Sequence, residues 1–350
     1  MIFFAAAGSP QEPQSQQPQQ PAQPQQPSAP AQPARNAQQR PPRIISRSDT
    51  VIVPVTVKDR QGQLVAGLQR DDFRILDDNV EQKIQFFSAD PFPLSAVVLI
   101  DNNLSQKQAQ QVQKSLEAIA GGFGPSDEAA IVVYDQFPET VSDFSFNNDA
   151  IFTSLKRLEL GSHFPGGFGG PVSSTPIING QAQPTGGPPP TAAPINSETK
   201  DLDDAVWAAG QMLKSRGRDR RKIIFLITDG NNSRHNAHPF KETLQLLLIS
   251  DVSVYSVSVG HAFLQKETPR LEHYAKSTGG DVYFASKQRD LERLYSAVTE
   301  EARNQYTLTF SPEDVDRKKD YHTIEVRVRR PDLDVSAREG YYQGAVLVGP

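Results

Sequence analysis

The stretch Ala96-Val97-Val98-Leu99-Ile100-Asp101-Asn102-Asn103-Leu104-Ser105 runs five apolar residues without interruption into a carboxylate, followed by amide and hydroxyl groups. A run lacking polar alternation suits a strand covered on both faces, as in the parallel sheet of an α/β domain. Such sheets place ligands at the carboxyl ends of their strands. The residues after Ser105 are helix formers, with Ala109, Val112, Leu116 and Ile119 on one stripe, so a helix is expected over 106–119. Asp101, Asn103 and Ser105 then sit on a strand-to-helix turn. Lys222-Ile223-Ile224-Phe225-Leu226-Ile227-Thr228-Asp229-Gly230 repeats the design, an apolar run closed by a carboxylate.

Working outward, residues 94–303 alternate strand and helix: strands at 127–134, 140–144, 252–260 and 281–284, and helices at 148–158, 198–214, 240–250, 268–276 and 290–303. This predicts a doubly wound, mostly parallel sheet with helices on both faces. On either side the period drops to two. Residues 49–90 read as a small β-module, with strands at 49–57, 64–68, 73–77 and 82–87, and residues 304–345 as three further strands. Neither set alone has enough strands for a stable core, so the two ends of the chain are expected to build one sandwich. Residues 161–197 form a Gly/Pro/Ser/Thr-rich stretch without any period, the kind of loop that is functional or disordered.

Residues 10–48 are almost wholly Gln, Pro, Ala and Ser with scattered Arg, a composition that cannot offset chain entropy by burial and reads as a spacer. Residues 1–9 have the apolar, small-residue character of the end of a secretory signal without a basic start. Together these point to a domain displayed outside the cytoplasm, secreted, periplasmic or held at the cell envelope. A net charge of −5 and a pI near 5.7 give no general attraction for nucleic acid. With no Cys, thiolate sites and cysteine nucleophiles are excluded, so any metal must take oxygen or imidazole ligands. No segment reaches the roughly 18 apolar residues of a membrane span.

Asp101-x-Asn103-x-Ser105 with Thr228-Asp229-Gly230 resembles the metal-ion-dependent adhesion site of von Willebrand factor A domains, whose first motif is Asp-x-Ser-x-Ser. Flanking pieces resemble a related family described from Acidobacteria: Val53-Pro54-Val55-Thr56-Val57, Gly67-Leu68-x-x-x-Asp72-Phe73, Gln305-Tyr306 and Arg338-Glu339-Gly340-Tyr341-Tyr342. The resemblance covers Thr50 to Tyr342. It implies a divalent ion, Mg²⁺ or else Mn²⁺ or Ca²⁺, with Asp101, Asn103, Ser105, Thr199 and Asp229 as the ligand set. It further implies a non-catalytic protein-binding module, in which an acidic side chain of a partner protein completes the ion's shell. Hard cations of this kind want oxygen ligands, which these residues offer. Asn103 stands where the family has Ser. Aligning Asp204 with the family's pattern puts Lys200 at the position of its Thr, with Thr199 one residue away.

Two other functions are compatible with these motifs, a structural envelope protein with a metal-free site and a metal-dependent hydrolase. The hydrolase needs a nucleophile or general base beside Asp101, which Asn102 and Asn103 do not supply. The strand-end Asp pair also serves as ordinary helix capping in many folds. Gly166-Gly167-Phe168-Gly169-Gly170 lacks the Lys-Ser/Thr of a phosphate loop, and the six His show no helical ligand spacing. His235 and His238 read as solvated loop residues and Trp207 as core.

Overall fold

The computed structural model describes residues 50–161, 177–178, 181–182, 200–260, 269–313 and 319–343. The expected signal-like segment, the spacer, nearly all of the 161–197 loop and Thr199 lie outside the described residues. The described residues form one compact unit.

The strands are β1 (Val51–Lys58), β2 (Phe73–Asp77), β3 (Val80–Gln82), β4 (Phe86–Ser88), β5 (Leu94–Asp101), β6 (Glu128–Tyr134), β7 (Pro138–Ser145), β8 (Ile177–Ile178) and β9 (Gln181–Ala182). They continue with β10 (Arg221–Thr228), β11 (Val252–Val259), β12 (Val282–Ala285), β13 (Tyr306–Phe310), β14 (Tyr321–Val328), β15 (Asp334–Ala337) and β16 (Gly340–Tyr342). The helices are α1 (Gln106–Gln113), α2 (Leu116–Gly121), α3 (Asn148–Arg157), α4 (Leu202–Lys214), α5 (Phe240–Ile249), α6 (Pro269–Thr278) and α7 (Gln288–Arg303).

The central sheet has the order β12-β11-β10-β5-β6-β7, parallel throughout except for the edge strand β7. β5 and β10 are wholly buried because each carries apolar side chains on both faces. On one face Ala96, Val98, Ile223 and Phe225 pack with residues of α1, α2, α3 and α7. On the other, Val97, Leu99, Ile224 and Leu226 pack with α4, α5 and α6. This is the expected doubly wound architecture.

Two antiparallel sheets stand beside it, β15-β1-β13-β4 and β16-β14-β2-β3. Val53 and Val55 of β1, Leu308 and Phe310 of β13, Ile75 of β2 and Ile324 of β14 share one core, so the sandwich is drawn from both ends of the chain. The flanking motifs explain themselves at this junction. Tyr306 OH donates to Val65 O (2.8 Å) and accepts from Leu68 N (3.1 Å), while its ring lies 5.1 Å from Phe73. Gln305 donates to Thr56 Oγ1 and Gly279 O, both at 3.1 Å. Arg338, almost fully buried, donates to Gly340 O (3.0 Å), Ile52 O (3.3 Å) and Leu248 O (2.5 Å) and pairs with Asp251 (2.9 Å). A Cβ on Gly340 would sit 2.4 Å from His322 O, which restricts that position to glycine.

Three local expectations are corrected. Residues 64–68 are not a strand: only Leu64 bridges Lys58, and Gly67 takes a φ of +81°, turning the chain so that Leu68 meets Tyr306. The strand expected over 82–87 is two, because the chain crosses from β2's sheet to β13's at Lys83–Gln85. The helix expected over 106–119 breaks at Ser115, whose hydroxyl lies 2.9 Å from Val112 O and 3.1 Å from Tyr295 OH and so draws the backbone aside.

Candidate functional site

β5 and β10 are adjacent and parallel, with Ile100 opposite Ile227, so Asp101 and the Thr228–Asp229 pair leave the sheet side by side. Each carboxylate folds back on its own turn: Asn103 N donates to Asp101 Oδ1 (2.9 Å) and Asn231 N to Asp229 Oδ1 (3.0 Å). The remaining oxygens face one another, and Lys200 fills the space between them. Its Nζ lies 3.0 Å from Asp101 Oδ2 and 2.8 Å from Asp229 Oδ2. Thr228 Oγ1 donates to Asp101 Oδ2 (3.0 Å) and accepts from Tyr134 OH (2.9 Å). All these groups are buried.

Lys200 is held there by its neighbours. Ser233 N donates to Lys200 O (2.6 Å) and Asp201 N to Asp135 O (2.9 Å). The first turn of α4 is clamped to the loop after β10: Asn232 Oδ1 accepts from Leu202 N (3.0 Å), and Asn236 Oδ1 from Asp204 N (3.1 Å). Asp204 accepts from Ala237 N (2.8 Å) and His238 N (2.7 Å). Asp203 receives Tyr274 OH (2.8 Å), Asn232 Nδ2 and Arg270 Nη1 (both 3.0 Å). Sequence reasoning missed this clamp, although three Asp in four residues facing an Asn-rich loop was its signal.

The sheet order and the two strand-end carboxylates are the doubly wound arrangement that the resemblance to von Willebrand factor A domains implies. Solved structures that the chain resembles include a von Willebrand factor type A protein from Catenulispora acidiphila, at 10% identity over 84% of this chain and 72% of that one (TM-score 0.44). Proximal thread matrix protein 1 from the mussel byssus, in a structure with a zinc-occupied MIDAS motif, is 16% identical over 66% of this chain and 50% of that one (TM-score 0.43). BatB from Bacteroides thetaiotaomicron is 10% identical over 60% and 98% (TM-score 0.40). The chain spans about half the length of the mussel protein. No protein-family model and no curated protein sequence matches it.

The resemblance implies a divalent ion at this turn, and the residues present do not fit one. A dication beside the Lys200 ammonium, at about 4 Å and an effective dielectric near 20, meets a repulsion of about 8 kcal/mol. The oxygens the ion would take are already bonded to Lys200. Of the expected ligand set, the structure brings Asp101 and Asp229 together. Asn103 is buried beside Asp101, while Ser105 is exposed at the start of α1, its hydroxyl donating to Gln108 Oε1 (2.5 Å). Among the described residues, Asp77, Asp78 and His322 of the sandwich form a group able to offer ligand atoms within 4.8 Å of one another. There Tyr341 OH donates to Asp77 (2.7 Å), Lys319 pairs with Asp78 (2.7 Å), and His322 Nδ1 lies 3.0 Å from Asp78. Trp207 is half-buried rather than core, with the His238 ring stacked on it at 3.7 Å.

Burial pushes the Asp101 carboxyl up to about 6, the Lys200 ammonium opposing the rise and the Asp229 charge adding to it. The folded chain thus holds this proton more tightly than the unfolded chain, whose Asp titrates near 3.9. The resulting stabilisation is full at low pH and is lost as pH rises through about 6. We expect the stability of wild type relative to Asp101→Asn to increase between about pH 7 and about pH 4. Denaturant unfolding of both proteins across that range measures it, and a pH-independent difference would refute the perturbed carboxyl.

Proposed function

We propose that the chain is a non-catalytic protein-binding module of the von Willebrand factor A type, whose carboxyl-end face is set by an internal cation in place of a divalent ion. The observation that carries this is the Lys200 ammonium, 3.0 and 2.8 Å from the two carboxylates that the resemblance assigns to metal. It neutralises one of two adjacent buried charges and fixes the ends of β5, β10 and α4 against each other. Both carboxylates are engaged by it, which leaves neither placed to serve as a general base. Recognition then falls to the loops that follow these strands, not to a partner carboxylate completing an ion's shell. Display outside the cytoplasm on the Gln/Pro-rich 10–48 segment is part of the same reading and rests on composition. Among the described residues no helix is long and apolar enough to cross a membrane.

The test is titration of the wild-type chain with Mg²⁺, Mn²⁺ and Zn²⁺. A bound ion at a hundredfold excess over its Kd would raise stability by about 2.7 kcal/mol. We expect no such rise from the Asp101 turn. A rise that Asp101→Ala abolishes would restore the ion-dependent reading and overturn this one.

A further inference from the structure

At the opposite end of β10, about 25 Å from Asp229 at the ordinary strand rise, a cavity of about 240 Å³ opens between the sandwich and the central sheet. One wall is apolar, made by Ile52, Pro54, Phe86 and Phe92. The other carries Arg218, Arg220, Arg221 and Lys222 against a single carboxylate, Asp251. That carboxylate is already taken by Arg218 (3.2 Å) and Arg338 (2.9 Å), and Arg220 lies 3.5 Å from Glu128. Arg221 and Lys222, 7% and 5% exposed, have no carboxylate at ion-pair distance among the described residues.

A buried cation lacking a counter-charge is expensive for a fold to keep. Desolvation accordingly lowers Arg221 to about 10 and also lowers Lys222, the latter opposed by Asp251. Arg221 Nη2 donates to Gln305 O (2.6 Å) and Thr307 Oγ1 (3.0 Å), but its buried Nε has no hydrogen-bond partner. The guanidinium lies 5.3 Å from the centre of the Phe92 ring, so its charge sits beside an aromatic face of the cavity.

We propose that this cavity binds a small organic carboxylate with an apolar body, an aryl or medium-chain alkyl acid. The carboxylate meets the Lys222 ammonium, with the Arg221 guanidinium charge behind it, and the body lies against Phe86 and Phe92. The cavity is below the usual range for drug-sized ligands, which limits the occupant to a small one. Inorganic phosphate fits less well, because the apolar wall cannot replace the hydration such an ion gives up. The chain's own 10–48 segment carries Arg and no aromatic residue, with one acidic residue at position 12, so it does not supply the ligand.

The experiment titrates the full chain with benzoate and octanoate by calorimetry and by NMR, with benzamide and inorganic phosphate as controls. At least one acid should bind in the millimolar range or tighter, at least tenfold better than benzamide or phosphate. Lys222→Gln and Phe92→Ala should each weaken it about tenfold. Lys222→Gln keeps the fold testable, because no hydrogen bond of the described residues depends on the Lys222 ammonium. No binding by either acid to folded wild type would overturn the proposal. So would benzamide binding as well as benzoate, phosphate binding as well as either acid, or unchanged affinity in folded Lys222→Gln.

Discussion

Lys200→Ala is expected to destabilise the fold by about 3–5 kcal/mol, the usual consequence of removing one member of a buried ion pair. The substitution leaves Asp101 and Asp229 facing each other with their shared donor gone, and Thr228 as the one side-chain donor left on Asp101 Oδ2. Two like charges this close cannot both stay ionised without a cation. The same change empties the space between two carboxylates, creating the oxygen-lined pocket that a hard dication requires. The loss should therefore be recovered in part by Mg²⁺ or Mn²⁺, by about 2.7 kcal/mol at a hundredfold excess over Kd. Denaturant melts of wild type and variant, with and without the ion, read both effects. A variant as stable as wild type would show that Lys200 holds nothing together, and a variant blind to Mg²⁺ would show that the site does not revert to a metal centre.

The second large effect is Arg338→Ala. Arg338 reaches from the strand end of the sandwich to Ile52 O of β1, to Leu248 O at the end of α5 and to Asp251. Its removal strips donors from buried carbonyls and leaves Asp251 with Arg218, an exposed partner. We expect a loss of about 3–5 kcal/mol by the same argument. Because the contact joins the sandwich to the helical layers, hydrogen exchange should rise in β1 before it rises in β5. Uniform loss of protection would mean that Arg338 supports the whole unit and not the junction.

The apolar runs ending in Asp101 and Asp229 were enough to read the central sheet, because a strand buried on both faces leaves no room for alternation. The sandwich was legible from the return of period two at both ends. What the sequence hid was geometry finer than periodicity. Ser115 sits between the stripe residues Val112 and Leu116, and only its contact with Tyr295 from α7 shows why the helix stops there. Ile84 lies inside a stretch that reads as one strand, yet the crossing between sheets at that point depends on where β13 lies. Lys200 was visible as the residue at the family's Thr position, but its side chain could have turned to solvent. The clamp of α4 onto Asn232 and Asn236 decides that it turns inward. The under-paired Arg221 and Lys222 lie in a basic run from Arg216 to Lys222. Overall charge masks such a run, and burial gives it meaning.

β1 pairs with β13 and β15, so its ladder partners lie roughly 250 residues further along the chain, about 10–50 s away at ordinary rates of synthesis. During translation the central sheet can close while Val51–Lys58 still has both edges bare, the condition that invites pairing with another chain. The strands that shut those edges, β13 and β15, leave the ribosome after the whole α/β body. A product cut short before Tyr306 would carry a finished α/β body together with an open, valine-rich strand. Emergence of β13 and β15 is thus the step that removes this bare-edged strand from reach of another chain.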